Sequence, residues 1–198
     1  MTNETKTYCI KEGYTCRDKE VYFNDTPLKD EYQDLVYQTA LKYFDLHQCN
    51  SVLDLGCGSG FKLVKYFDEV ENTIGVDLPA TVNWLRNKYP NKTWSSDFTE
   101  VRKGYDVLIS SDVIEHVLDP DELLDIIEKS EPKIIVISTP NRDRGLNQSG
   151  PPNNPHHIRE WNKDEFSNYI SSRFDVIEHL EFDENTQCIV CKLKKNKD

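Results

Sequence analysis

Three glycines at alternating positions follow an apolar run and form the most chemically informative stretch of the chain. The stretch reads V-L-D-L-G-C-G-S-G from residue 52 to residue 60. Glycine has no Cβ and tolerates positive φ, so Gly56, Gly58 and Gly60 permit a tight strand-to-helix turn that a ligand can approach closely. A dinucleotide fingerprint has its third glycine where this chain has Phe61, so the spacing differs from that pattern.

Two aspartates near this loop indicate what kind of ligand it binds. Asp54 precedes the first glycine by two residues, and a carboxylate there disfavours a pyrophosphate. It suits a ligand with an ammonium or a sulfonium group, and S-adenosylmethionine (SAM) has both. Asp77 lies 21 residues beyond Gly56, the distance at which an α/β nucleotide fold offers a carboxylate to ribose hydroxyls. The alternative, a tight turn that binds nothing, is disfavoured by these two acids.

A polar segment, residues 139–160, is the second candidate region. It is rich in Pro, Asn, Gly and Arg, and a loop of this length in a compact domain is usually functional or disordered. Its concentration of hydrogen-bonding and stacking groups predicts a site for an anionic or sugar-like substrate. The residues we expect to bind that substrate are Arg142, Arg144, His156, Arg159 and, just beyond the segment, Trp161.

The elements that must position these residues alternate between apolar runs and helical patterns. This alternation predicts an α/β, Rossmann-like fold with a seven-stranded, mostly parallel sheet and helices on both faces. Ligands of such sheets bind beyond the carboxyl ends of the strands, where both candidate regions lie. The predicted strands are residues 52–55, 73–76, 92–95, 106–110, 134–138, 174–180 and 188–192, and the predicted helices are 61–67, 80–88, one beginning at 119–122, and 163–170.

The first 50 residues contain little strand signal. Helical spacing between residues 32 and 44 predicts a helix packed ahead of the first strand, preceded by an irregular arm. We therefore divide the chain into an arm with its lead-in helix, residues 1–50, and a main domain, residues 51–198.

Composition narrows the function classes. The 198 residues are enough for one domain with a substantial core, and 24 basic against 35 acidic side chains leave a formal net charge of −11. This charge opposes binding to nucleic acid or to an anionic membrane. The N-terminus has no apolar leader and no stretch is long enough to span a bilayer, so we expect a cytoplasmic protein.

The cysteines predict neither disulfides nor a metal site. Six cysteines are present without a disulfide-framework spacing. Cys188 and Cys191 form a C-x-x-C, but in a strand residues three apart face opposite sides, so the two sulfurs cannot easily share one zinc ion.

Longer motifs resemble a known family. The segment S-S-D-V-I-E-H-V-L-D-P at 110–120 resembles the post-strand motif of the ubiquinone-biosynthesis-like methyltransferases, types 11 and 23 of the class I SAM-dependent enzymes. T-P-N-R at 139–142 and G-P-P-N-N-P-H-H-I-R-E-W at 150–161 are similar to a bacterial branch associated with sugar and surface-glycan biosynthesis. The resemblance covers residues 51–198, and Y-Q-D-L-V-Y at 32–37 is similar to the lead-in helix of that branch.

The resemblance implies a role for each cofactor-side residue. Asp54 and the first two glycines contact the methionine part of SAM, Asp77 accepts both ribose hydroxyls, and Asp97 reaches the adenine amino group with Phe98 beside the ring. Leu78 and the proline after it offer the adenine only an apolar wall. The implied cofactor-binding residues are Asp54, Gly56, Gly58, Asp77, Leu78, Asp97, Phe98 and Ser111.

The implied reaction is methyl transfer from SAM to a small-molecule acceptor, with S-adenosylhomocysteine (SAH) as product. The loop arginines favour a hydroxyl of a sugar, a nucleotide-activated sugar or a related phosphorylated metabolite in surface-glycan biosynthesis. Two alternatives stay open: an N- or O-methyltransferase of a macromolecule, protein or RNA, and a non-catalytic SAM-binding module. The residue pattern sets neither the accepting atom nor the oligomeric state.

Two histidines are candidates for a general base. A sugar hydroxyl is a poor nucleophile, and histidine has a pKa suited to removing its proton. We expect His157, in the polar segment, to be the catalytic base in preference to His116, in the E-H pair after the fourth strand. Either can instead be a hydrogen-bonded structural residue, and an amine or an ionised oxygen needs no base.

Overall fold

Seven strands form one sheet in the computed structural model, which describes residues 6–29, 32–98, 103–182 and 185–195. They are β1 (Ser51–Leu55), β2 (Asn72–Val76), β3 (Thr93–Ser95), β4 (Val107–Ser111), β5 (Ile134–Pro140), β6 (Phe174–Glu181) and β7 (Thr186–Leu193). Their order across the sheet is β3-β2-β1-β4-β5-β7-β6. Among these strands, β7 runs opposite to the other six, so its pairings with β5 and β6 are antiparallel and the remaining pairings are parallel. The predicted seven-stranded, mostly parallel sheet is confirmed.

Helices cover both faces of this sheet, as predicted. They are α1 (Asp34–Leu46), α2 (Phe61–Phe67), α3 (Pro79–Lys88), α4 (Pro120–Ser130) and α5 (Lys163–Arg173). Helices α1 to α3 share one core cluster and α4 and α5 share the other. Neighbouring residues of a strand enter different clusters, as Val52 and Leu53 do, because side chains alternate across a sheet.

Local sequence explains where the helices begin. Asp119 caps α4 by accepting a hydrogen bond from the Asp121 amide at 3.0 Å, and Pro120 fills the first turn, where its missing N–H is not needed. Asn162 and Glu165 form a reciprocal capping box at the start of α5. These caps place the ends of the helices relative to the strands that carry the site.

The cysteine prediction agrees with the packing. All six cysteines are free. Cys188 lies in one core cluster and Cys191 in the other, so their sulfurs face opposite sides of the sheet. Within the described ranges, no helix is long and apolar enough to cross a bilayer.

The N-terminal arm packs on the domain and then crosses the carboxyl edge of the sheet. Its first part is anchored by the buried Ile10 and by a bond from the Arg17 amide to the Ile158 carbonyl. Farther along, the Glu20 carboxylate accepts from the Leu118 amide at 2.9 Å, and the Tyr22 hydroxyl lies 3.3 Å from that of Thr81 in α3. The division of the chain at residue 50 stays a prediction.

Candidate functional site

A cavity of about 1190 Å³ opens at the carboxyl ends of the parallel strands. Its walls come from the glycine loop after β1, from the residues that follow β2 and β4, and from the N-terminal arm. Sites for one small ligand usually measure about 300–1,000 Å³. The cavity is therefore large enough for a cofactor and a small second ligand.

The glycine loop adopts a backbone that other residues would strain. Gly56, Gly58 and Gly60 have φ angles of 80°, 52° and 64°. A Cβ added to Gly60 would lie 2.7 Å from Trp94, one on Gly56 would overlap Val113, and one on Gly58 would overlap the Asp25 carboxylate. The loop is therefore a bare-backbone cradle packed too closely for side chains.

Asp77 is held rigidly beside this cradle. One of its carboxylate oxygens accepts from the Gly58 amide at 2.8 Å and the other from the Leu78 amide at 2.7 Å. Burial raises the pKa of Asp77, although these two bonds favour its ionised form. The Thr81 side chain is a further hydrogen-bond partner of Asp77, so about one of the roughly four acceptor positions of the carboxylate is left for a ligand hydroxyl.

Asp54 lies beneath the cradle with one oxygen unpaired. Its Oδ2 accepts from the Tyr37 hydroxyl at 2.8 Å, whereas the buried Oδ1 has no hydrogen-bond partner in the described part of the chain. Burial raises the pKa of Asp54 to about 7. Tyr37 was not predicted as a site residue from the sequence, although it lies three residues before Ala40 on the buried face of α1.

These residues fit SAM. An unpaired carboxylate oxygen next to a glycine cradle favours a ligand with positive charge, and SAM has an ammonium and a sulfonium group. Asp25 of the arm adds a third carboxyl, whose pKa is raised to about 6 by burial and by the nearby Asp77. No sequence motif indicated Asp25, because its position against Gly58 depends on how the N-terminal arm packs on the domain.

The other predicted cofactor residues occupy the same end of the cavity with one exception. Leu78, Phe98 and Ser111 line its wall. Asp97 is outside the lining and lies in the turn after β3, where its amide bonds to the Ser95 hydroxyl at 3.1 Å. The individual contacts of these residues with SAM stay predictions.

Two arginines predicted to bind substrate are engaged inside the fold. Arg142 is 1% exposed, and its guanidinium pairs with the Glu165 carboxylate at 2.6 Å. Arg159 is also buried and donates to the carbonyls of residues 117 and 118 at 2.9 and 2.8 Å. These contacts do not fit the predicted role in substrate binding, because both guanidinium groups already donate to acceptors within the protein.

The remaining predicted substrate residues also lie outside the cavity wall. Trp161 is fully buried, and its indole N–H donates to the Tyr8 carbonyl at 2.9 Å. Arg144 donates to the carbonyl of residue 182, and a ring nitrogen of His156 lies 3.3 Å from the Val21 carbonyl. These side chains contact the arm and the sheet, and their role in binding a substrate stays a prediction.

Both predicted catalytic histidines line the cavity and face each other. The ring centroids of His116 and His157 are 4.8 Å apart and the rings are nearly perpendicular. His116 Nδ1 lies 3.0 Å from the His156 carbonyl, and His157 Nδ1 lies 2.6 Å from Glu160 Oε1. Burial and the neighbouring His157 lower the pKa of His116 to about 4, so its ring is neutral near pH 7.

Two acids next to the histidines were not assigned from sequence. Glu115 is fully buried, and its Oε2 accepts from the Thr139 hydroxyl at 3.0 Å. Asp112 has a φ of 53° and accepts from the Ser138 hydroxyl at 2.6 Å and the Gln33 amide at 3.0 Å. Burial raises the pKa of both carboxyls, that of Glu115 strongly.

Comparison with known proteins identifies the domain. The model of a family described as methyltransferase domain matches residues 28–180. A probable S-adenosylmethionine-dependent methyltransferase of Mycolicibacterium smegmatis is 29% identical over 151 residues, which are 68% of this chain and 56% of that protein. A ubiquinone biosynthesis O-methyltransferase of Rickettsia bellii is 34% identical over 105 residues, 47% of this chain and 43% of that protein. The chain spans about half the length of these curated relatives.

Solved structures agree with the fold. The magnesium protoporphyrin IX methyltransferase of Synechocystis, crystallised with bound SAH, superposes with a TM-score of 0.65 and 14% identity over 90% of each chain. At this identity the likeness concerns the fold alone.

Replacing Arg142 tests whether it has a structural or a ligand-binding role. We expect Arg142→Met to lower the free energy of unfolding by about 3–5 kcal/mol, because it leaves the Glu165 carboxylate without its buried partner. Arg144→Met is the matched control and should change it by less than about 1 kcal/mol, since Arg144 is exposed. Denaturant unfolding measures both values. An Arg142→Met protein of normal stability would contradict the structural role.

Asp25 should make the ligand-free protein less stable as the pH rises. Its folded pKa of about 6 exceeds the ordinary 3.8, so its favourable contribution is present below about pH 4 and is lost as the pH rises through 6. We expect Asp25→Asn to be more stable than the unchanged protein by about 1–3 kcal/mol at pH 8 and equal to it at pH 4. Thermal unfolding across this range, with the exposed Asp45→Asn as control, measures the difference. A stability difference between the Asp25→Asn and unchanged proteins that does not vary with pH would exclude titration of Asp25 as its cause.

Proposed function

The chain belongs to the methyltransferase domain family that matches residues 28–180, and from this premise we propose that it transfers a methyl group from SAM to a hydroxyl of a small-molecule acceptor. One observation carries the proposal. A glycine cradle backed by the carboxylates of Asp54 and Asp77 opens into a cavity with room for a second ligand. A domain that only bound SAM would not need the additional space.

The carboxylates act at the cofactor end of the cavity. Asp54, Asp77 and Asp25 create negative potential where the charged groups of SAM are expected, and Asp77 is positioned for ribose hydroxyls. Phe98 and Leu78 supply apolar surface for the adenine. When bound, SAM supplies a methyl group on a positively charged sulfur, from which a nucleophile can displace it.

The acceptor oxygen must lie in line with the methyl carbon and the sulfur. Methyl transfer would form an O–C bond as the C–S bond of SAM breaks, leave the electron pair of that bond on the sulfur of SAH, and pass the hydroxyl proton to a histidine of the cavity wall. Most of the acceleration comes from holding the reacting atoms in this geometry. His116 and His157 line the cavity, and we propose that one of them assists loss of the hydroxyl proton. The preference for His157 over His116 remains a proposal.

The charges of the cavity refine the acceptor class. Among the described lining residues, Lys62 is the one lysine or arginine, whereas seven are acidic: Glu20, Asp25, Asp77, Asp112, Glu115, Asp119 and Glu122. The arginines that suggested a phosphorylated acceptor are engaged elsewhere. We therefore retain a neutral, sugar-like hydroxyl acceptor and drop its nucleotide or phosphate group. The link to surface-glycan biosynthesis rests on the sequence resemblance alone.

The arm supports a small acceptor over a macromolecule. Glu20, Tyr22 and Phe23 line the cavity and bridge its edge, so a large substrate would have to displace them. The net charge of −11 also disfavours RNA and membrane surfaces. A cytoplasmic location belongs to the same proposal.

Asp77 provides a direct test of cofactor binding. We expect Asp77→Asn to weaken SAH binding by about 1.5–3 kcal/mol, roughly 10–150-fold, because charge-assisted hydrogen bonds to the ribose are lost. Calorimetric titration gives the affinity. Asp68→Asn, an exposed aspartate at the end of α2, should bind SAH normally. Equal affinities of a folded Asp77→Asn protein and the control would remove Asp77 from the cofactor site.

The acceptor class requires a transfer assay. We expect methyl label from SAM to appear on neutral sugars or other polyhydroxyl compounds, with little transfer to phosphorylated sugars, because carboxylates dominate the cavity wall. Mass spectrometry of the products locates the methyl group. Label found only on RNA or protein would favour the macromolecular alternative. SAH binding without transfer to any of these classes would favour a binding module.

A further inference from the structure

Glu115, His116 and His157 bring one ligand atom each to within 4.8 Å of one another at the cavity wall. The first two lie in the 3₁₀ turn Ile114–His116 after β4, and His157 follows β5. A bond of 2.7 Å from the Ile158 amide to the Glu115 carbonyl joins the two segments. The cluster is therefore held by backbone contacts rather than by the side chains alone.

Glu115 gives this cluster an unsatisfied acceptor. The side chain is 0% exposed, and its Oε1 has no hydrogen-bond partner among the residues that the structure describes, whereas Oε2 is satisfied by Thr139. His116 Nε2 lies 3.8 Å from Oε1, which is too far for a hydrogen bond. Burying a carboxylate oxygen without a partner costs free energy, so the ionised form of Glu115 requires a positive group at Oε1.

Both histidines are oriented to offer a lone pair. A carbonyl can only accept, so His116 Nδ1 carries the proton that bonds to the His156 carbonyl, and Nε2 is left unprotonated. His157 Nδ1 bonds to the Glu160 carboxylate, which leaves Nε2 as the acceptor that the Asn154 amide now approaches at 2.8 Å. An imidazole whose far nitrogen donates to a carboxylate or a carbonyl is the usual arrangement of a metal ligand.

We propose that Glu115, His116 and His157 bind a divalent transition-metal cation that in turn binds the acceptor hydroxyl. Two imidazole nitrogens and one carboxylate oxygen suit such an ion, and three protein ligands leave coordination positions open. His157 would exchange its bond with Asn154 for the metal. The second half of the proposal rests on the proposed methyl transfer: a bound cation lowers the pKa of a hydroxyl, which would lose its proton to solvent before attack and so need no histidine base.

The metal site is tested first without any substrate. The protein is stripped with a chelator, dialysed and titrated with Co²⁺, Mn²⁺ and Zn²⁺ separately, by calorimetry and, for Co²⁺, by visible absorption. We expect one ion per chain. Glu115→Gln and His116→Ala should each weaken binding by at least about 10–100-fold, whereas the exposed His47→Ala should leave it within about twofold.

The outcomes separate the two proposals. Absence of saturable binding of all three ions, or binding unchanged in folded Glu115→Gln and His116→Ala proteins, would overturn the metal site. SAH affinity, measured on the same stripped samples, should be nearly unchanged and reports on the cofactor site independently. If methyl transfer by the stripped protein equals that of the reloaded protein, the link between the cation and the acceptor is overturned.

Discussion

Five carboxyl groups lie buried or half-buried at one edge of the sheet, and much of the surrounding structure compensates for them. Burial raises the pKa of all five: Asp25, Asp54, Asp77, Asp112 and Glu115. Backbone amides, the Tyr37 hydroxyl and the Ser138 hydroxyl satisfy part of this acceptor capacity, but one oxygen of Asp54 and one of Glu115 remain unpaired. Burial disfavours the charged form of these groups, so a cationic ligand that pairs with the carboxylates would displace their protons and stabilise the protein as it binds.

The two unpaired oxygens lie in different parts of this region: Glu115 is in the cavity wall, whereas Asp54 is buried behind the glycine loop and does not line the cavity. Asp54 is beneath the glycine cradle, where a cationic cofactor fits, and Glu115 is beside the histidine pair, where we place a metal ion and the acceptor. The backbone of the cavity wall is also strained, since Asp112, directly after β4, has a positive φ. Unpaired charge and backbone strain lower stability, and they concentrate at functional sites because the rest of the fold supports them.

Two arginines and a tryptophan that follow β5 hold distant parts of the fold together. Arg142 and Arg159 each satisfy buried acceptors, and Trp161 packs at the centre of the same region. Together they fasten the polar segment and the arm to the domain. The arm extends across the cavity and places Asp25 against Gly58. The cavity wall contains many acidic residues and few basic ones.

Local patterns in the sequence were enough to predict the sheet, its helices and the glycine loop between β1 and α2. Strand periodicity, the glycines at positive φ and the positions of Asp54 in β1 and Asp77 after β2 depend on residues within a few positions of one another. The partners of Arg142, Asp25 and Glu115 depended on the tertiary structure, because they come from segments distant along the chain. A polar residue in a loop has the same local signature whether it binds a substrate or satisfies a buried carbonyl, and only long-range packing decides between the two.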